Sequence, residues 1–289
     1  MKLAGCLLIV ALLTFSLCGI ALAAPLSQVP VTDLTHRMTP EAYASFANTA
    51  RLSLQRVAEY WNVDLNAALS EPISIEFMAS SGHLPTSLFF FRAENNKKVK
   101  VVRVIGAAES PRQFAHKLTS ALFPHQDKLI RNMMGEVAER DLGNRASFPA
   151  CSKSADEWVA VLINTGSYIP LSQIGTDHAD WGMAIVNNLP VIRDRKRQHV
   201  RYAEAGSFGQ YLVDRFGKTK MIEFYWQAKN PSHRPWQEVF GLPLEELEQQ
   251  WLAQVNQRAA ASPETIATLA SIWRSNPQTA CYQAQNSER

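Results

Sequence analysis

The order of the secondary-structure patterns along the chain constrains its fold more than any other feature. Helical periodicity over residues 39–60 comes first, with Thr39 at the N-cap position and Pro40 in the first turn. Alternating or β-branched and aromatic segments then predict strands at 72–78, 87–91 and 98–105. From Pro111 onward the patterns predict helices, at 111–123, 128–141, 155–164, 200–216, 218–229, 244–257 and 263–273. A sheet region followed by helices predicts an α+β fold.

The first 23 residues have the pattern of a secretory signal peptide. Lys2 precedes a long apolar run that ends at the small-residue site Ala21-Leu22-Ala23. We expect cleavage after Ala23, export to a bacterial periplasm, and no membrane-spanning segment in the remaining chain. The alternative is an uncleaved anchor, because residues 3–24 are nearly long enough to span a bilayer. Residues 24–289 contain no repeat or linker composition, so we expect a single domain with a short polar C-terminal tail.

Charge and cysteine content narrow the functional classes. The formal net charge of the 289 residues is +3, which is too small to indicate a nucleic-acid partner. Only Cys151 and Cys281 would remain after cleavage; an oxidising compartment favours a disulfide between them, and two unpaired buried thiols are the alternative. The basic run at 193–201 is expected to be a solvated loop leading into a helix, with binding to an anionic surface or an acidic partner as the alternative.

Two neighbouring predicted helices carry the residues with the most chemistry. His116 and Ser120 are four residues apart, so they lie on one face of the first helix. The second helix carries Gly135, Glu136 and Glu139. A zinc hydrolase of the HExxH class holds its metal with two His at this spacing, uses a Glu beside the first His as base, and takes a Glu ligand from a later helix.

Further segments extend the pattern. Residues 202–212 read YAEAGSFGQYL, and they are followed by Phe216-Gly217, by GLPLEEL at 241–247 and by Trp251. Over residues 72–257 the sequence resembles the gluzincin, or peptidase-MA-like, metallopeptidase domains found in many exported bacterial proteins. The resemblance implies a zincin architecture, with an N-terminal mixed sheet before a helical region, and it places Tyr202 facing the active-site cleft.

The departures from the family's motifs fall on its chemistry. His116 keeps the first ligand position, whereas Lys117 occupies the position of the base, Ser120 that of the second ligand and Gly135 that of the Glu ligand. Loss of a general base costs on the order of 10²–10⁴ in rate, and a site with one ligand of three loses its affinity for zinc. The resemblance therefore implies a degenerate site that has lost its metal, unless a one-residue shift makes Glu136 or Glu139 a ligand.

Each of these residues also has a structural interpretation. His116 could be a satisfied core histidine, Glu136 and Glu139 solvated helix charges, and Tyr202 a packing residue. The small residues Ala205-Gly206-Ser207 suit close helix packing. A relocated metal site would require folding to bring to His116 one of the other histidines at positions 125, 178 and 199.

Two functions remain after these arguments. The first is a non-catalytic exported protein that binds or scaffolds in the cell envelope without a cofactor, with an extended peptide, a protein or another envelope component as its partner. The alternative is an active zinc-dependent peptidase or hydrolase with an unconventional metal site around His116 and Glu136.

Overall fold

The structure is a computed structural model that describes residues 24–80, 85–187, 189–228 and 233–286. The predicted signal peptide, residues 1–23, lies outside the described residues. Within the described ranges, no helix is both long and apolar enough to cross a membrane. An N-terminal mixed sheet followed by helices confirms the predicted α+β class.

The first long helix begins where the sequence predicts. A short turn of helix, α1 (Ala24–Ser27), precedes α2 (Pro40–Tyr60), and α3 (Leu65–Ala68) follows it. The Thr39 hydroxyl oxygen accepts a hydrogen bond from the Ala42 N–H at 3.2 Å, which satisfies one of the free N–H groups of the first turn. The apolar residues at helical spacing are buried and join the main core: Phe46, Ala47, Ala50, Leu54, Val57 and Ala58.

The N-terminal sheet has four strands, of which the sequence predicts three. They are β1 (Val31–Asp33), β2 (Ile73–Met78), β3 (Thr86–Glu94) and β4 (Lys97–Ile105), in the spatial order β1-β2-β4-β3. β1, β2 and β4 run parallel, and β3 pairs with β4 antiparallel through a tight turn at Asn95-Asn96, where both residues have positive φ. The sequence pattern misses β1 because three residues are too few to show alternation. Because β3 is last in the spatial order of strands, it forms one edge of this sheet.

Six of the eight later helices lie close to the predicted segments or extend them, and two short ones were not predicted. The eight helices are α4 (Phe114–Leu122), α5 (Lys128–Leu142), α6 (Ala155–Asn164), α7 (Arg195–Gln227), α8 (Trp236–Phe240), α9 (Leu244–Ala259), α10 (Pro263–Ser275) and α11 (Ala280–Asn286), with a 3₁₀ turn at Leu171–Gln173. The sequence does not predict the short helices α8 and α11. α7 has a break at Gly217, whose φ of 84° is not helical, and this matches the expected division between 216 and 218.

Most of the basic run is helical, so the expectation of a solvated loop at 193–201 is wrong. The carboxylate of Asp194 accepts a hydrogen bond from the Arg197 N–H at 2.9 Å, and α7 starts at Arg195. An aspartate at this position satisfies a free N–H and favours the positive end of the helix dipole. The cap places the helix start five residues earlier than the apolar periodicity indicates.

A two-stranded hairpin precedes α7. Its strands, β5 (Met183–Val186) and β6 (Leu189–Ile192), pair antiparallel, and β6 lies near β3 of the main sheet. The sequence analysis did not predict this hairpin, since each strand has only four residues. The hairpin places Met183 and Pro190 opposite the helices that carry the candidate site.

Helices α4, α5 and α7 form the centre of the molecule, and small residues let α5 and α7 approach closely. A Cβ atom on Gly209 would lie 2.9 Å from Met133 Cβ, and one on Gly206 would lie 3.1 Å from Glu136 Cβ. Both distances are shorter than ordinary van der Waals contacts. The predicted packing role of the small residues at 205–207 is confirmed.

The two remaining cysteines form a disulfide bond. Cys151, in the loop before α6, is joined to Cys281 in α11, 130 residues later in the sequence. In the chain-entropy model, closing a loop of that length stabilises the fold by about 5 kcal/mol. The bond confirms the predicted pairing and fixes the C-terminal helix to the rest of the molecule.

Candidate functional site

His116 lies at the centre of a hydrogen-bonded chain between α4 and α5. Its side chain is fully buried, with Nδ1 2.7 Å from Glu136 Oε1 and Nε2 3.1 Å from Asn132 Oδ1. Asn132 and Glu136 are four residues apart, so one face of α5 presents both side chains to the imidazole. Both ring nitrogens are therefore used within the protein.

Burial determines which groups in this hydrogen-bonded network carry protons. Burial, reinforced by the charges of Lys117 and Arg131, lowers the pKa of His116 well below 6.5, and burial raises the pKa of Glu136 well above its usual 4.5. Both shifts favour the uncharged forms, a neutral imidazole and a protonated carboxyl group. In the tautomer that fits these forms, Glu136 donates its O–H to Nδ1 and Nε2–H donates to Asn132 Oδ1. The amide nitrogen of Asn132 then has no hydrogen-bond partner within the described structure.

Gly135 explains how the imidazole fits between the helices. A Cβ atom at this position would lie 2.5 Å from His116 Cδ2 and 2.7 Å from Nε2, which is closer than atoms can pack. The backbone of α5 thus lies against the imidazole ring. A longer side chain at 135 could be accommodated only if the imidazole moved.

Glu139 and Ser120 both contact the backbone of α4. Glu139 accepts hydrogen bonds from the N–H groups of His116, at 3.0 Å, and of Asn144, at 3.2 Å. The Ser120 hydroxyl donates to the carbonyl oxygen of His116 at 3.1 Å. Glu136 and Glu139 are both buried, so the interpretation of these residues as solvated helix charges is wrong. Each instead holds His116 in place.

Tyr202 of α7 lies beside His116, and its ring forms one wall of the site. The ring stacks on His116 with centroids 5.7 Å apart, and Trp181 meets it edge-on at 5.3 Å. Burial raises the pKa of the Tyr202 hydroxyl, so the group stays protonated. Lys117 Nζ lies 5.5 Å from the centre of the same ring.

The other histidines do not join His116 in a metal-binding cluster. His199 Nε2 is 3.0 Å from the Pro149 carbonyl oxygen, and its ring packs against Trp158. His125 Nδ1 accepts a hydrogen bond from the Asp127 N–H. Over the described ranges, no three residues among His, Cys, Asp and Glu are placed to hold a metal ion together.

A small cavity opens beside this chain, between α4, α5, Tyr202, β3 and the hairpin. Its volume is about 40 Å³. Three basic side chains line it, Lys117 from α4 and Lys128 and Arg131 from α5. We call this cavity the basic pocket. The remaining walls are Leu88, Phe89, Ser120, Asn132, His178, Met183, Pro190 and Tyr202. No carboxylate lines the cavity among these residues.

The basic side chains of the pocket lack a direct carboxylate partner within the described structure, although Glu136, Glu139 and Asp127 lie near enough to act on Lys117 and Arg131. None of the three side chains forms an ion pair there; Lys128 Nζ lies 3.4 Å from Met183 Sδ, and Arg131 donates to the His125 carbonyl oxygen at 3.2 Å. Burial, together with the charges of Arg131 and Lys117, lowers the pKa of Lys128 to about 6. Burial lowers the pKa of Lys117 to about 8 although Glu136 opposes that shift. At pH 7 Lys128 is therefore largely neutral, and the positive charge of the pocket comes mainly from Lys117 and Arg131.

Lys128 and Arg131 were not among the residues that the sequence analysis selected. They are three residues apart on α5, and Asn132 follows, so all three lie on one helix face. A signal was present, since Lys128 and Arg131 interrupt a helix whose neighbouring residues are mostly apolar. The metal-binding motif selects carboxylate and imidazole ligands, and lysine and arginine side chains are neither, so the motif did not indicate these two residues.

Comparisons with known proteins return no relative. No protein-family model matches the chain, and neither the curated proteins nor the solved structures contain a match. The gluzincin resemblance therefore stays a prediction that depends on the motifs quoted above.

Proposed function

We propose that this chain is an exported, non-catalytic binding protein built on a gluzincin-like scaffold whose metal site has degenerated. One observation carries the proposal: both ring nitrogens of His116 are engaged by Glu136 and Asn132, and no nitrogen is left to bind zinc. The order of sheet and helices, and the position of Tyr202 beside His116, support the scaffold assignment.

The residues at this site do not fit a zinc ion. Zinc bonds of 2.0–2.2 Å in tetrahedral geometry separate neighbouring donor atoms by about 3.3 Å. The 2.7 Å between His116 Nδ1 and Glu136 Oε1 is instead that of a direct hydrogen bond. Lys117, Lys128 and Arg131 surround the same space and would repel a dication. We therefore derive no catalytic step through a metal, and the alternative of a zinc hydrolase has no supporting observation.

Binding requires a surface that the fold does not use internally. β3 ends the main sheet, and the basic pocket opens between it and the central helices. An extended segment of a peptide, a protein or another envelope component could pair with a free strand edge while the pocket takes one of its groups. In this proposal the cleft binds its partner but does not hydrolyse it.

The test is the zinc content of the mature protein, purified from an oxidising compartment and equilibrated with zinc. We expect less than one tenth of a zinc ion per chain in the wild type and in His116→Ala, and no peptidase activity in either. The matched control is His178→Ala, which removes a half-buried histidine on the opposite side of the pocket. One zinc per chain that disappears in His116→Ala and persists in His178→Ala would overturn the proposal.

A further inference from the structure

The basic pocket brings three basic side chains and one unpaired side-chain amide nitrogen to a single small space. Lys117 comes from α4, whereas Lys128, Arg131 and Asn132 come from one face of α5. Lys117, Lys128 and Asn132 are all less than one tenth exposed. Four donor groups and no carboxylate therefore surround the cavity.

Elsewhere in the fold, buried cations have anionic partners. Lys100, which is about as buried as Lys128, lies 2.8 Å from a Glu71 carboxylate oxygen. Arg234 is 2.7 Å from the carboxylate of Asp127, which is fully buried. An uncompensated buried charge is strongly unfavourable, so proteins either pair such groups or use them to bind a ligand. The basic pocket is the exception among these buried cations.

Asn132 provides a second, independent indication of a ligand. Its side-chain oxygen accepts from His116, which fixes the orientation of the amide, and its nitrogen is buried with no partner within the described structure. Buried amide N–H groups are nearly always satisfied, and an unsatisfied one calls for an acceptor. His116 thus acts as a positioning residue for Asn132, whose side chain lines the cavity.

The size of the cavity limits what it can hold. A volume of about 40 Å³ is about three times the minimum for one ordered water molecule, so the pocket takes a small group and not a large side chain. The planar guanidinium of Arg131 and the two ammonium groups are the donors that carboxylate and phosphate oxygens prefer. His178, Met183 and Pro190 are only half-buried, and this side gives the cavity its access to solvent.

We propose that the basic pocket is an oxyanion-binding site, in which Lys117, Lys128, Arg131 and the Asn132 amide hold one carboxylate, phosphate or sulfate group of the ligand. The inference rests on the proposed binding function and specifies the chemistry that the cleft recognises. The anion supplies the counter-charge that the fold lacks, and Asn132 gains an acceptor.

The experiment is calorimetric titration of the mature protein at constant ionic strength and pH 6.5. The probes are sulfate, inorganic phosphate, acetate, and one short peptide prepared with a free and with an amidated C-terminus. We expect one site per chain for at least one anionic probe, with affinity at least tenfold weaker in Lys128→Met and in Lys117→Met. Lys100→Met, which replaces a buried lysine that already has a partner, is the matched control and should bind as the wild type does.

The probes distinguish the two sources of the group. Tighter binding of sulfate or phosphate assigns a phosphoryl or sulfuryl group, and tighter binding of the free than of the amidated peptide assigns a peptide carboxylate; both support the inference. Absence of binding by every probe, or equal binding by wild type and Lys128→Met, would overturn it. That failure is separate from failure of the proposed function, which only stoichiometric zinc at His116 or peptidase activity would produce. Circular dichroism of each variant verifies that it is folded.

Discussion

Two groups of charged side chains in this protein are built in opposite ways. In the sheet, Glu76 is 2% exposed and lies 2.5 Å from Arg92 and 2.8 Å from Arg103; Arg92 also pairs with Glu94. We call these four residues the paired cluster, and its two positive and two negative charges cancel. In the basic pocket, three basic side chains line one cavity that has no carboxylate among its lining residues.

The contrast separates charges that serve the fold from charges that serve a ligand. A paired group contributes to stability or is neutral, because each ion satisfies the other's hydrogen-bonding groups. An unpaired group destabilises the fold and persists where another requirement outweighs that penalty. On this account, substitutions in the two groups should change stability in opposite directions, and only those in the basic pocket should change binding.

The largest effect is expected from breaking the paired cluster. Glu76→Gln keeps the size of the side chain but leaves Arg103 without its carboxylate partner and Arg92 with Glu94 alone. Removing one partner of a buried ion pair costs about 3–5 kcal/mol, and the partial exposure of Arg92 favours the lower end. Urea unfolding should show a loss of about 3 kcal/mol with no change in sulfate affinity. A loss below 0.5 kcal/mol would mean that the pairing contributes little.

The second prediction concerns the close contact between Gly135 and the ring of His116. Gly135→Ala would place a methyl group 2.5 Å from His116 Cδ2, so we expect a loss of about 2 kcal/mol from overpacking. In a His116→Ala background the ring is absent, and the same substitution should become nearly neutral. A double-mutant cycle by urea unfolding measures this difference. Equal losses in both backgrounds would show that Gly135 is required for another reason.

The third prediction is a gain in stability, where the first two are losses. Lys128→Met replaces a buried amine with an apolar side chain of similar length, so we expect unfolding free energy to rise by about 1–2 kcal/mol while sulfate binding is lost. Lys100→Met serves as the comparison and should lower stability, because Lys100 has a carboxylate partner. Thermal unfolding of the two variants at pH 7 checks the signs. Destabilisation by both would show that Lys128 belongs to the fold.

The smallest effect is the pH dependence that Lys128 contributes. Its pKa is about 6 in the folded protein, against 10.5 for an ordinary lysine, so between these values the unfolded chain binds more protons. Stability from this group therefore rises with pH above about 6. The groups that act on Lys128 are Arg131, Lys117 and Asp177, and all three remain in Lys128→Met. From pH 7 to 8, the advantage of Lys128→Met over wild type should shrink by about 1 kcal/mol. An advantage that is constant or grows would contradict the assigned pKa.

The sequence predicts the fold more completely than the site. Long helices and strands with clear periodicity appear at the expected places, and α4 differs at its start because Gln113 has a left-handed backbone and delays the helix to Phe114. The pairing of Cys151 with Cys281 could be predicted from export and cysteine number. β1 and the hairpin were missed because their short strands depend on tertiary pairing.

The candidate site, too, could be predicted only in part from the sequence. His116, Glu136 and Tyr202 could be selected from spacing, but the sequence could not show that a hydrogen bond joins the first two directly. The basic pocket depends on the register of α4 against α5 and on the position of the hairpin, neither of which local patterns encode. Lys128 and Arg131 were therefore recognised only when the cavity they line was visible.

The most direct test of the central claim is anomalous diffraction from crystals soaked in selenate at pH 6.5. Selenate has the shape and charge of sulfate, and selenium marks its position. The account predicts one selenium peak per chain in the basic pocket, within about 4 Å of the Lys117, Lys128 and Arg131 nitrogen atoms, and no peak there in Lys128→Met. An empty pocket under conditions that place selenate elsewhere on the molecule, or a zinc peak beside His116, would contradict it.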